Sequence, residues 1–188
     1  MALLNMVWTP VTIHEVVADF LQSEQHKFPA SDIEMALIDS PDIGDPLQNH
    51  KRLRLLYQRR RWLFGEIPPD TKWYNVQSLT DTELDELHVI ARCPFDDPND
   101  KNELRKVGAR RSEVLQCPPI KWHRPIVWRH DKIGPFTIIE GNHRLIAYAS
   151  APSPGGLLIN TVVGLSQMPC YFHFDDPPDI LMNDLWKR

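Results

Sequence analysis

Five consecutive residues, Glu140-Gly141-Asn142-His143-Arg144, lie between two apolar stretches and combine an acid, a switchable base and a permanent cation. The preceding residues 136–139 predict a strand, and the following residues 145–149 predict a helix that begins at or just after Asn142. Glycine lets the backbone turn sharply and lets a ligand come close. The free N–H groups of a helix start favour an anion, and Arg144 adds a positive fork that fits phosphate. The pattern therefore predicts a phosphate site.

Each polar residue of this turn has a chemical role to offer. His143 is a donor whose charge changes near neutral pH, and Glu140 can bind a metal ion, orient a substrate hydroxyl or act as a base. We expect Glu140 and His143 to be the catalytic residues, and Gly141, Asn142, His143 and Arg144 to contact the phosphate. The alternative is that His143 and Arg144 only cap and brace a surface helix.

The run 136–147 resembles the signature of the ParB/sulfiredoxin superfamily, in which a strand leads into an acidic residue, glycine, a variable residue, histidine and arginine. The strand predicted at 125–128 also stands where this family places one, and the resemblance covers about residues 120–174. Sulfiredoxins carry a catalytic cysteine directly after the glycine, where this chain has Asn142. Reduction of a sulfinic acid is therefore not expected.

The turn is most similar to that of the free serine kinases of this superfamily. The resemblance implies a nucleotide, ATP/ADP or CTP, a small-molecule acceptor, and Mg²⁺ that is held partly by the nucleotide itself, with no residue of this chain assigned as a metal ligand. It implies a phosphotransferase or a nucleotide hydrolase. Such kinases also need a catalytic glutamate from an earlier segment, and the sequence does not select between Glu34 and Glu66 for that role.

A basic run at residues 50–61 contains six lysines and arginines and no acid. Arg60 and Arg61 are further candidates for phosphate binding, and the alternative is a solvated helix face whose aliphatic stems cover apolar surface. Two other functions stay open: a non-catalytic nucleotide-sensing or protein-interaction module, and a nucleic-acid-binding protein or ParB-like nuclease that uses this run. The net charge of -4 argues against binding nucleic acid through bulk electrostatics.

Other features carry weaker signals. Trp122, His123 and Arg124 could stack on a base or simply support the core. His173 could join His143 in a metal site, but no ligand spacing supports this. The three cysteines are widely spaced and are expected to be reduced thiols. Without a signal peptide or a long apolar run, we expect a cytoplasmic protein with no membrane partner.

The elements that must position the turn follow from periodicity and capping patterns. Helices are predicted at 12–25, 31–38, 47–64, from Thr80 to about 90, and at 100–115. Strands are predicted at 73–76, 125–128, 136–139, 159–165 and 170–174, with a turn at 129–134 and a loop at 152–156. The class is α+β, a helical N-terminal half packed on a small mixed sheet of ParB/sulfiredoxin-like type. We expect one domain, 1–188, made of a mainly helical part (1–117), a strand-turn-helix core (118–176) and an acidic tail (177–188).

Overall fold

The computed structural model describes residues 8–27, 31–64, 67–77, 79–80, 82–83, 87–89, 124–130, 136–142, 144–145 and 160–168. Within these ranges the chain forms three α-helices, a short 3₁₀ turn and six strands. None of the helices in this part of the chain is long and apolar enough to cross a membrane.

The first two helices begin with the same local arrangement. Helix α1 spans Ile13–Glu24 and helix α2 spans Asp32–Asp39, each preceded by a capping box. In α1, the Thr12 backbone N–H donates to the Glu15 carboxylate (2.6 Å) and the Glu15 N–H donates to the Thr12 hydroxyl (3.3 Å). Two donors that the helix leaves unpaired are thereby satisfied. Both helices were predicted from these residues, and both predictions are confirmed.

Helix α3 spans Pro46–Phe64 and leaves helical geometry at Arg60 (φ -137°, ψ 43°). Its start is fixed by Asp45, whose carboxylate accepts from the Leu47 N–H at 2.8 Å. Arg52 is fully buried, and its guanidinium donates to the Asp42 carbonyl (2.7 Å) and to the Asn49 side chain. Burial lowers the pKa of Arg52 below its ordinary value. This arginine therefore ties the preceding loop to the helix.

The strands form one mixed sheet in the order β1-β2-β6-β4-β5-β3. Their bounds are Trp8–Val11 (β1), Lys72–Val76 (β2), His88–Val89 (β3), Ile126–His130 (β4), Thr137–Glu140 (β5) and Thr161–Ser166 (β6). The pairs β1–β2, β2–β6 and β4–β5 are antiparallel, whereas β4–β6 and β3–β5 are parallel. Three strands, β1, β2 and β3, thus come from the part of the chain (1–117) predicted to be mainly helical.

The strands β4, β5 and β6 are largely buried on both faces of the sheet. One cluster packs α1 and α3 against the sheet, and it includes Phe20, Leu56, Ile126 and Trp128. The other cluster includes Val127, Ile138 and Val163, which point the opposite way along the strands, together with Leu145 of the turn after β5. Strands buried on both sides read as continuous apolar runs, which is why 125–128, 136–139 and 159–165 were predictable.

A hydrogen-bonded cap holds the end of β6. The Asp70 carboxylate accepts from the Ser166 hydroxyl (2.5 Å) and from the Gln167 N–H (2.9 Å). The Ser166 hydroxyl, followed by backbone N–H groups, lowers the pKa of Asp70. The loop before β2 is thereby attached to the strand that pairs with β2.

The coarse α+β class is confirmed, and some boundaries differ from the predictions. The helix predicted from Thr80 to about 90 is wrong at residues 88 and 89, because His88–Val89 forms β3 beside β5. The turn predicted at 129–134 begins too early, since Arg129 and His130 extend β4 along β6. Strands β1 and β3 were not predicted. The predictions at 100–115, 152–156, 170–174 and 177–188, and those on the three cysteines, Trp122, His123 and His173, lie outside the described residues.

Candidate functional site

The predicted turn forms at the end of β5. Gly141 follows Glu140 with φ at +90°, and the Leu145 N–H donates to the Gly141 carbonyl at 2.9 Å, the bond of a first helical turn. A Cβ atom on Gly141 would lie 3.0 Å from Pro125 Cβ and 3.2 Å from Arg144 Nη2. Both the backbone angle and the lack of space therefore require glycine here.

An ion pair closes this turn. Arg144 Nη2 donates to the Glu140 carboxylate, four residues earlier in the chain. The two side chains are only 11% and 10% exposed, so the pair is largely removed from water. Its direct attraction is stronger in such surroundings than at the surface, but removing each charge from water also costs free energy. A nearly buried ion pair is therefore weak evidence for stability alone, and it fixes the direction of the Arg144 guanidinium.

A second arginine reaches the same edge of the sheet. Since β4 starts where the antiparallel β5 ends, Arg124 and Pro125 lie beside the Glu140 end of β5. Arg124 forms an ion pair with Asp19 of α1, and its Nη1 donates to Asn75 of β2 at 3.3 Å. Arg124 was noted in the sequence only as a possible stacking group.

Asp19 and Asn75 were missed altogether. They come from α1 and β2, far from the turn in sequence, and no motif marks them. Only the assembled fold shows that α1 and β2 place polar side chains beside Arg124, which directly precedes β4.

The structure brings four of the five predicted turn residues together. Glu140 ends β5, Gly141 makes the turn, and Asn142 and Arg144 begin the helical turn. His143 lies outside the described residues. Arg60 forms an ion pair with Glu24 of α1, and Arg61 lies in α3 with its side chain outside the described part.

The two glutamates considered as a catalytic base also differ. Glu66 lies outside the described residues. Glu34 is the third residue of α2, where its carboxylate accepts from the Ser31 N–H (2.8 Å) and hydroxyl (3.0 Å). These two hydrogen bonds, the backbone one first, lower the pKa of Glu34. A carboxylate whose charged form is so stabilised is a poor proton acceptor.

The described residues contain no group of three or more histidine, cysteine, aspartate or glutamate side chains able to hold a metal ion. Glu140 is the single acid of the described turn, and Arg144 occupies it. This donor set does not fit a metal bound by the protein alone. It does fit a Mg²⁺ ion that arrives with nucleotide phosphates, because Mg²⁺ commonly takes only one or two protein carboxylates.

The function of this site has to be inferred from the chemistry of its residues, because comparison with known proteins gives no relative. No protein-family model matches the sequence, and no curated protein or solved structure is significantly similar to it.

Proposed function

We propose that the chain binds the phosphate groups of a nucleotide at the Glu140–Arg144 turn and, with Mg²⁺ carried by the nucleotide, transfers or hydrolyses the terminal phosphate. The observation that supports this most directly is the Arg144 guanidinium, which Glu140 holds in a largely buried position beside the Gly141 turn. The resemblance of residues 136–147 to the ParB/sulfiredoxin superfamily points to the same ligand.

Arg144 suits phosphate because of the geometry of its donors and because its side chain loses little conformational entropy on binding. A guanidinium presents five donors in a rigid plane and cannot lose its proton in a protein, so it binds phosphate oxygens in pairs. Its orientation is already set by Glu140, so little side-chain entropy is lost when a ligand binds. Gly141, which has no side chain, lets the Arg144 guanidinium lie directly against the turn, 3.2 Å from where a Cβ atom would be.

Glu140 then has two successive roles. In the free protein its carboxylate pairs with Arg144. A phosphate that takes over the Arg144 donors releases this carboxylate at the moment when the substrate is in place. The released Glu140 can accept the proton of an attacking hydroxyl or contact the Mg²⁺ ion that the nucleotide brings. The ion pair thereby couples ligand binding to activation of the acid.

The nucleic-acid alternative has less support. Of the basic run, Arg52 is buried and holds the loop before α3, and Arg60 pairs with Glu24. These side chains do not form the continuous exposed stripe that an electrostatic footprint needs. The sensing alternative differs from our proposal only in turnover, so the same experiment distinguishes them.

Isothermal titration calorimetry with ATP, ADP, CTP and GTP, each with Mg²⁺, tests the proposal on wild type, Arg144→Ala and Glu140→Gln. We expect one nucleotide to bind, and Arg144→Ala to weaken it at least about tenfold, since a hydrogen bond to a charged group contributes roughly 1.5–3 kcal/mol. Glu140→Gln removes the competing charge, so it should bind as tightly as wild type or more tightly while phosphate release is lost.

Arg129→Ala is the matched control. Arg129 lies at the opposite end of β4 from Arg124, where its guanidinium stacks on the Phe136 ring at 4.4 Å from the centroid. The Arg129→Ala substitution removes the same charge as Arg144→Ala and should leave nucleotide affinity unchanged. Equal losses in Arg144→Ala and Arg129→Ala, or no binding of any nucleotide to folded wild type, would contradict the proposal. Binding without turnover in wild type would favour a sensor.

A further inference from the structure

The outer face of α2 is acidic and partly apolar. Four residues of this helix are exposed, Asp32, Ile33, Ala36 and Asp39, and helical spacing places them on one side. Ile33 is 74% exposed, the highest value among the exposed large hydrophobic side chains of the described residues. No lysine or arginine occurs within Asp32–Asp39. This face therefore offers an apolar side chain between two carboxylates.

The outer face of α3 has the opposite charge. The exposed residues among 46–60 are Pro46, Leu47, His50, Lys51, Arg54, Tyr57 and Gln58, and no acidic residue occurs anywhere in Pro46–Phe64. Leu47 is 61% exposed and Tyr57 is 45% exposed. Exposed large apolar side chains that share one helix face with cations are typical of an interaction surface.

A depression on α3 could receive an apolar side chain. It has a volume of about 660 Å³ and is lined by His50, Leu53, Arg54, Leu56 and Tyr57. An aliphatic anchor in such a place would be surrounded by a tyrosine ring and leucine side chains, with cations at the rim. Anchors of this kind contribute most of the binding free energy in protein interfaces.

The two faces belong to neighbouring helices. Helices α2 and α3 pack against each other, and Arg59 of α3 is close enough to Glu34 of α2 to lower the pKa of that carboxyl, after the larger effect of the Ser31 hydrogen bonds. An acidic helix and a basic helix are therefore in contact within the same molecule. In a pair of molecules related by a two-fold rotation, the acidic helix of each copy can meet the basic helix of the other.

We infer that two copies of this chain associate through α2 and α3, with Ile33 of each copy seated in the α3 depression of the other. Asp32 and Asp39 face Lys51 and Arg54 across the interface. The second copy is the occupant that the charges favour, since the acidic, apolar partner that the α3 face requires is present on the same molecule. This inference is independent of the proposed nucleotide site.

The interface is expected to be weak. Helix α2 has 8 residues, and a rise of about 1.5 Å per residue makes it only about 12 Å long. Two such contacts bury less than the roughly 1,600 Å² of a standard stable complex. We therefore expect a dimer that dissociates on dilution and that weakens as salt rises from about 0.05 M to about 0.5 M, because exposed charges are screened.

Sedimentation velocity over a concentration series measures this association directly. Ile33→Ser should raise the dissociation constant of the dimer at least about tenfold, because it removes the central anchor. Arg54→Glu and Asp39→Lys should each weaken the dimer, and the double variant should restore it. Asp39 is the last residue of α2, where a lysine is favourable to the helix dipole. The reversal also removes the hydrogen bond that the Asp39 carboxylate accepts from the Gln25 side chain (2.8 Å), so the folding of this variant is checked separately.

Met168→Ser provides the matched control, because Met168 is an exposed large hydrophobic side chain outside α2 and α3. It should leave the dissociation constant unchanged, and circular dichroism should show that every variant is folded. A wild type that stays monomeric at the highest concentration would overturn the inference. So would a dimer that Ile33→Ser and the charge reversals leave unaffected, or one that the double variant fails to restore.

Discussion

At the scale of single residues, Gly164 decides how closely the centre of the sheet can pack. It lies in β6 between Trp73 of β2 and Trp128 of β4, its direct partners in the two neighbouring strands. A Cβ atom there would lie 2.7 Å from a carbon of the Trp73 ring and 3.0 Å from Trp128 Cδ1. Trp128 is further fixed by its indole N–H, which donates to Thr71 at 3.3 Å. The two tryptophan side chains thus occupy the space that a side chain at position 164 would need.

Gly164→Ala should destabilise the protein by about 1–3 kcal/mol, because a buried ring cannot move away without disturbing its strand. Urea unfolding followed by tryptophan fluorescence would measure the change. Gly44→Ala is the control, since the nearest atom to a Cβ there is Asp42 Oδ1, the end of an exposed side chain, at 3.3 Å. Equal effects of the two substitutions would show that the packing around Gly164 is looser than described.

The site illustrates what single residues reveal before the fold is known. The turn from Glu140 through Gly141 to Arg144 was predictable because its backbone geometry depends on neighbours within five positions. The Glu140–Arg144 pair spans one helical turn, and Gly141 stands where the turn demands positive φ. Asp19 and Asn75 were not predictable, since only the assembled sheet brings them to Arg124.

At the scale of elements, α3 shows that one basic run can contain arginines with opposite roles. Arg52 is fully buried and donates to the Asp42 carbonyl and the Asn49 side chain, while Arg54 is exposed and lines the α3 depression. Residues i and i+2 of a helix point in directions about 200° apart. Arg52 can therefore face the core while Arg54 faces solvent. Charge counting along the sequence cannot separate them.

Arg52→Met should therefore destabilise the protein by about 2–4 kcal/mol, although methionine keeps much of the buried volume. The Asp42 carbonyl and the Asn49 side chain would lose their donor in a buried place. Arg54→Met should change stability by less than about 0.5 kcal/mol, as is usual for an exposed site. Chemical denaturation at low protein concentration, where self-association does not contribute, compares the two. A small effect of Arg52→Met would refute its anchoring role.

Elements with strong local signals were predicted correctly, and short edge strands were not. The starts of α1 and α2 are fixed by the capping boxes at Thr12 and Ser31, each of which involves residues only three positions apart. Strand β1 contains Pro10, which argues against a strand unless it lies at an edge, and β1 is an edge strand. Strand β3 has only two residues and exists through its pairing with β5, so no local pattern could reveal it.

At the scale of the whole molecule, the sheet and its core join distant parts of the chain. Strand β6 pairs with β2 on one side and with β4 on the other. The cluster beneath α1 contains Phe20 and Leu21 together with Trp128 and Val162. Neither the early residues nor the late residues have a separate core within the described part of the chain.

We therefore expect one cooperative unfolding transition. Leu21→Ala in α1 and Val163→Ala in β6 should each lower the same single midpoint, with about 2–5 kcal/mol lost for the buried leucine. Far-ultraviolet circular dichroism and tryptophan fluorescence should give coincident curves for both variants. Separate midpoints, with each substitution shifting only one of them, would show two independent units.

The central place of β6 also affects how the protein forms on the ribosome. Strands β2 and β4 flank it, yet residues 161–166 are made long after Val76. At about 5–20 residues per second, the interval between them lasts several seconds or more. During that time β2, and β4 once it has been made, each lack the strand that later pairs with them, and unpaired edges attract other chains. A translation product that stops before residue 161 should therefore aggregate rather than accumulate as a partial fold.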